Sequence, residues 1–187
     1  MSRIPELKRD EVPEALRSAY DSVIASNGGN QPAGPGAIAI HSPEMASRRS
    51  PLSNYMRFQI DLPDRVMELA MLVTARCLDC PYVWSYHVGP ARKAGVSDAF
   101  LDALREDRPL PAAPADERAV VQYGLELMRK HSVSEATFRE ALSLFGLQRL
   151  VEITSLMGHY AQNAFLLNAF ALEVPSGGSE PMLKVSP

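Results

Sequence analysis

"ELAMLVTARCLDCPYVWSYHVGPARKAG", residues 68–95, decides the fold. In it and just before it, Val66, Leu69, Ala70, Val73 and Cys77 recur at three and four positions, the spacing of a helix with one buried side. Leu78 and Asp79 then make a turn. Cys80 takes the N-cap position and Pro81 the first helical position, where a missing N–H costs nothing because no intrahelical partner exists for it. A second helix follows to about Gly95, with Pro90 expected to disturb its later turns. Two helices meeting at so short a corner, with no alternating strand pattern around them, point to an all-α protein.

Outward from this corner the same period continues. A first helix is expected from about Pro13 to Ala25, followed by a loop, "NGGNQPAGPGA", residues 27–37. Ser42 caps the next helix with Pro43 at its first position, and Pro51 is expected to break it into two short pieces. Ser97 caps a short helix in "VSDAFLDALRE". "DRPLPAAPAD", residues 107–116, reads as an internal boundary, with Pro109, Pro111 and Pro114 close together. Beyond it lie a helix from about Glu117 to Lys130, another started by Ser134, and a long last one from about Leu147 to Leu172, apolar around most of its circumference.

Composition narrows the function. The 187 residues are 46% hydrophobic and 22% charged, with a formal net charge of -3, which is an ordinary globular balance. No block of Lys or Arg offers a footprint for nucleic acid or for an anionic membrane surface. The N-terminus has no apolar signal region, and Arg149, Glu152 and His159 interrupt the most apolar stretch before it could span a bilayer. A cytoplasmic protein is expected, with its two cysteines kept reduced unless they serve redox chemistry.

The chemistry-bearing residues gather around the same corner. Cys80, Val83, Trp84 and His87 fall on one face of the second helix. Cys80 and His87, seven residues apart, stand roughly 10 Å from each other along the axis at 1.5 Å per residue, too far to touch. A helix N-terminus favours a thiolate at Cys80, although Asp79 opposes it; Cys77 sits where carbonyls disfavour an anion. Both cysteines read equally well as small buried residues. Their C-x-x-C spacing flanks a helix-to-helix corner rather than a strand-to-helix turn, so a disulfide is allowed but not demanded, and no further Cys or His stands at zinc-ligand spacing.

Glu68 precedes Cys80 by twelve residues on a helix that is otherwise apolar inward. If the two helices fold back antiparallel, its carboxylate reaches the second helix where His87 lies. A carboxylate beside an imidazole fixes the tautomer and stabilises the charged ring, giving an acid or base for neutral pH. The alternatives are a solvated charge on a helix flank and a core histidine. His159 and Tyr160 are polar groups in an apolar helix that need partners and could line the same pocket. Arg76 offers a bidentate contact to a substrate carboxylate, or simply favours the helix C-terminus where it sits.

Taken as a whole, residues 68–95 resemble the core of the carboxymuconolactone decarboxylase and alkylhydroperoxidase D superfamily. The peroxidase branch is marked by Glu, eleven residues, Cys, two residues, Cys, three residues, His; here the frame falls on Glu68, Cys80, Val83 and His87. Val83 stands where that branch has its second cysteine, and Cys77 lies out of frame. "CPYVWSYH" instead resembles the decarboxylase branch at Cys80, Tyr82, Trp84 and His87. "AGVSDAFLDAL" and "LVEITSLMGHYAQNAFLLNAF" extend the resemblance over about residues 55–172.

The resemblance implies an all-α, alkylhydroperoxidase D-like helical bundle assembling as a dimer, trimer or hexamer. On that reading residues 1–50 form an N-terminal helical extension, 51–174 the decarboxylase-like domain and 175–187 a mobile tail. It implies a cofactor-free, metal-free decarboxylase-like enzyme acting on a small organic acid or lactone. His87, Glu68 and Cys80 are the expected catalytic residues, with Tyr82, Trp84, Arg76, His159 and Tyr160 toward the substrate. The alternatives are a thiol peroxidase in which Cys80 is oxidised and Cys77 resolves it, and a non-catalytic oligomeric binding protein.

Overall fold

The structure is a computed structural model that describes residues 2–174, 181–183 and 185. The tail expected to be mobile, 175–187, lies mostly outside these residues; within it Leu183 is buried. Among the described residues there are eight α-helices and no strand: α1 Arg17–Ser26, α2 Pro35–Ala39, α3 Pro43–Phe58, α4 Asp64–Cys77, α5 Pro81–Lys93, α6 Asp98–Arg105, α7 Ala115–Lys130 and α8 Glu135–Ala169. Two 3-10 turns, Arg9–Glu11 and Glu14–Leu16, precede α1. None of these helices is long and apolar enough to cross a membrane.

The chain divides into two compact units, Met1–Ile60 with Phe165–Glu173, and Asp61–Ala164 with Val174–Pro187. The first packs Val12, Tyr20, Val23, Ala39, Ile40 and Ala46 into its own core. Its opening segment is tied to the end of α8 by the Arg3 N–H, which donates to Phe170 O at 3.0 Å, and by Arg3 Nη1 on Ala169 O at 2.8 Å. The loop expected over 27–37 winds into α2 in its last residues, because Gly34 takes a φ of 57° and Pro35 then opens the helix.

Pro51 does not break α3, contrary to expectation. The helix is continuous from Pro43 to Phe58, and the proline stands on its exposed side while Ala46 and Met56, before and after it, are both buried. Burial on both sides of the proline holds the two halves in line, outweighing one lost backbone bond. Pro90 is likewise exposed and contained within α5.

In the second unit α4 is central. Every residue from Leu69 to Ala75 is buried, with α5 and α7 packed along it and α6 at one end. Gly124 brings α7 close: a Cβ there would lie 2.5 Å from Val73 Cγ1 on α4 and 2.9 Å from Met157 Cε on α8. The proline-rich residues 107–116 lie inside this unit rather than between units. The two helices expected after Ser134 are joined end to end as α8, with a break at Gly146, whose φ of 76° and ψ of 166° are not helical.

Candidate active site

The site is built by the corner between α4 and α5. Leu78 closes α4 and Asp79 adopts a left-handed φ of 47°, a conformation that Asp tolerates better than most residues. This lets the Cys80 N–H turn back to Ala75 O at 2.9 Å and the Asp79 N–H to Arg76 O at 3.4 Å, a Schellman ending with Asp in the place of the usual Gly. Arg76 fastens it: Nη2 donates to Asp79 Oδ1 at 2.5 Å and Nη1 to Arg105 O at 3.1 Å. The Arg76 guanidinium is thus committed to the corner and to the end of α6.

With the corner closed, α5 returns along α4. Glu68 on α4 and His87 on α5 meet, His87 Nδ1 standing 2.8 Å from Glu68 Oε2, with 12% and 18% of the two side chains exposed. A carboxylate oxygen accepts, so Nδ1–H donates and the neutral ring carries its lone pair on Nε2. Tyr160 of α8 packs against the imidazole, ring centroids 5.1 Å apart at 82°, and His159 meets Tyr160 at 5.8 Å and 79°. Both α8 residues are buried. Glu68, His87, Tyr160 and His159 therefore form one continuous run of contacts inside the second unit.

The other candidates are placed differently. Cys80 is fully buried, and burial pushes its thiol up despite the opposing pull of the Val83 and Tyr82 N–H groups at the start of α5. Cys77 is partly buried, and burial pushes it up as well, with Arg129 opposing. Both thiols are free. Trp84 is 1% exposed, and its Nε1 has no hydrogen-bond partner among the described residues. Tyr82 stacks on Tyr86 at 4.9 Å, their hydroxyls 3.4 Å apart; burial first, then Tyr86, pushes the Tyr82 phenol up.

Tyr86 and Asn163 escaped the sequence reading. Tyr86 was signalled by its i,i+4 spacing from Tyr82. Asn163 is a buried polar residue three positions after Tyr160 in an apolar helix, the same signal that singled out His159. Among the described residues no group of three or more His, Cys, Asp or Glu side chains is arranged to hold a metal ion.

The sequence profile described as the carboxymuconolactone decarboxylase family matches residues 43–126, a span that contains the whole α4–α5 corner. Over that span, which is under half of the chain, the sequence is similar to this family. No curated protein matches it in sequence. Solved structures match it in fold. A protein of unknown function from Agrobacterium tumefaciens, proposed to be the antioxidant defence protein AhpD, is similar at 21% identity and a TM-score of 0.66, over 74% of this chain and 96% of that one. An AhpD-core, peroxidase-related protein from Ralstonia eutropha JMP134 is 15% identical at a TM-score of 0.67, over 94% and 93%. The debrominase Bmp8, as a Cys-to-Ala variant in complex with 2,3,4-tribromopyrrole, is 14% identical at 0.68, over 94% and 95%. At these identities the likeness is one of fold.

Proposed function

We propose that this carboxymuconolactone decarboxylase-like chain is an enzyme that moves a proton on a small organic acid or lactone, with His87 as the acid and base and Glu68 as its partner. The observation that carries the reading is the 2.8 Å contact between Nδ1 and Oε2 in a largely buried setting. It commits one nitrogen to the protein and leaves Nε2 for the substrate. In a decarboxylation the C–C bond to the carboxylate breaks, carbon dioxide leaves, and the electron pair stays on the substrate as an enolate or carbanion. The Nε2–H of the imidazolium then protonates that carbon, Glu68 stabilises the ring while it is charged, and solvent returns the proton. The debrominase neighbour shares the fold and holds a small ring compound, which supports a small substrate here without naming it.

A thiol peroxidase using Cys80 and Cys77 is the second reading, supported by the peroxidase-related neighbours. It ranks lower because burial holds both thiols toward the protonated, unreactive form. A homo-oligomer belongs to the same proposal: Leu147 and Val151 on α8 are 66% and 56% exposed, apolar surface suited to a second copy. Light scattering reads that state directly.

The decisive experiment follows carbon dioxide release and product formation from a panel of small keto acids and lactone carboxylates. His87→Ala is expected to lower turnover by about 10²–10⁴-fold with the helical spectrum unchanged, and Glu68→Gln by a smaller factor in the same direction. Cys80→Ser should retain activity. Unchanged turnover in His87→Ala would reject the proposal, and the loss of two thiols after substoichiometric peroxide would favour the peroxidase.

A further inference from the structure

We infer that Tyr160 is a positioning residue for His87, setting the plane of the imidazole that Glu68 alone leaves free to rock. The inference rests on the acid–base reading of the Glu68–His87 pair and adds a third member from a different helix.

One hydrogen bond does not orient a ring. Glu68 holds Nδ1 at 2.8 Å, but a carboxylate oxygen accepts over a broad range of directions, so the imidazole can still rock about its Cβ–Cγ bond within that range. Rotation swings Nε2, the atom with which the reaction is made. A second contact is needed, and Tyr160 supplies one nearly perpendicular to the imidazole plane, at 82° and 5.1 Å between centroids. Edge-to-face packing of this kind has a preferred geometry and resists tilting of either ring.

The positioning ring must itself be fixed. Tyr160 is 3% exposed, and His159 packs against it at 79° and 5.8 Å, so it cannot yield without moving the core of the second unit. The imidazole is thereby held between α4, through a charge-assisted bond, and α8, through an aromatic face, while its own backbone belongs to α5. Three helices must agree for Nε2 to point one way. The inference assigns this to the ring contact, so phenylalanine should serve as well as tyrosine.

The test is tautomer analysis of the full chain by long-range proton–nitrogen correlation, with His87 identified among the four histidines by its loss in His87→Gln. Wild type is expected to show the Nδ1–H tautomer in about tenfold excess or more, because the bond to Glu68 is charge-assisted. Tyr160→Phe should keep that excess within about twofold, and Tyr160→Leu should lower it by about threefold or more as the freed ring makes the bond less often. An unchanged ratio in Tyr160→Leu, or an equal loss in Tyr160→Phe, overturns the inference. Should the leucine variant fail to fold, wild type still decides: the His87 and Tyr160 ring protons must cross-relax, and the His87 ring must be as ordered as rigid backbone, about 0.85 as an order parameter. A freely rocking ring overturns the inference whatever the variants do. None of these readouts needs turnover, so failure of the acid–base function and failure of the positioning role are separate results.

Discussion

His87 carries two nitrogens, and Nδ1 is the one that meets Glu68. With Nδ1 donating to Glu68, the proposed proton transfer runs through Nε2. The two cysteines, nine and twelve positions after Glu68, show how differently neighbouring residues can be placed. Cys80 is sealed in the core while Cys77 is partly accessible. Alkylation by iodoacetamide at pH 8, followed by intact mass, is expected to modify Cys77 at least about tenfold faster than Cys80, which should react only after unfolding. Burial raises both thiols above their ordinary value of 9.0, so the folded chain keeps protons that the unfolded chain releases once the pH passes that value. Their contribution to stability is complete below about pH 9 and drains away as the pH climbs through the higher folded values. The contact of Glu68 with His87 was legible because it follows from two helical periods and one short turn. The placing of Trp84, Arg76 and Tyr82 was not. Whether an indole faces the core, a guanidinium bends back to its own corner, or a phenol meets the next turn depends on packing from other helices, which spacing along one helix does not contain.

At the scale of elements, close approach and capping do the positioning. Gly124 lets α7 press on α4, and a methyl group there would collide with Val73 on the central helix and with Met157 on α8. Gly158, on α8, meets nothing within 4 Å. The two glycines make a matched pair. Gly158→Ala should gain roughly 0.5–1 kcal/mol from helix propensity. Gly124→Ala gains the same but incurs overpacking of about 1–3 kcal/mol, a net loss that thermal melting would register as a lower midpoint. The start of α8 depends on Glu126 of α7, whose carboxylate accepts from the Ser134 N–H at 2.7 Å and from Thr137 Oγ1 at 3.1 Å. These donors, the Ser134 N–H first, hold the carboxyl down at about 2 from an ordinary 4.5. Its stabilising effect is therefore present above pH 4.5 and lost as the pH falls toward 2. Glu126→Gln should melt lower than wild type at neutral pH, with the gap closing in acid. Ser134 was readable as a helix start from its residue type alone, whereas its carboxylate partner eight residues earlier was not. Pro51 misled for the opposite reason: a local rule gave way to burial on both sides of it.

The whole molecule consists of two units with separate cores, and this separates their faults. Ile40→Ala in the first unit removes a side chain that is 2% exposed and should cost about 2–5 kcal/mol there. Hydrogen exchange is expected to speed up in α1 and α3 while the His87 tautomer signal in the second unit stays as it was; loss of that signal would show a single cooperative core instead. The all-α class and the likeness to the family were readable because one stretch, residues 68–95, holds a complete supersecondary unit. The division at residues 60 and 164 was not, since it falls where no proline or glycine cluster marks it. The left-handed Asp79 carries a further consequence for how the chain can vary. Because the corner is so short, one inserted residue between Leu78 and Asp79 would break the hydrogen bonds from the Asp79 and Cys80 N–H groups that close it, and change the direction in which α5 leaves α4, carrying the imidazole away from the acid. Linker length here is itself a chemical parameter: relatives can exchange most side chains around the corner, but any that lengthen it must find another way to bring acid and ring together.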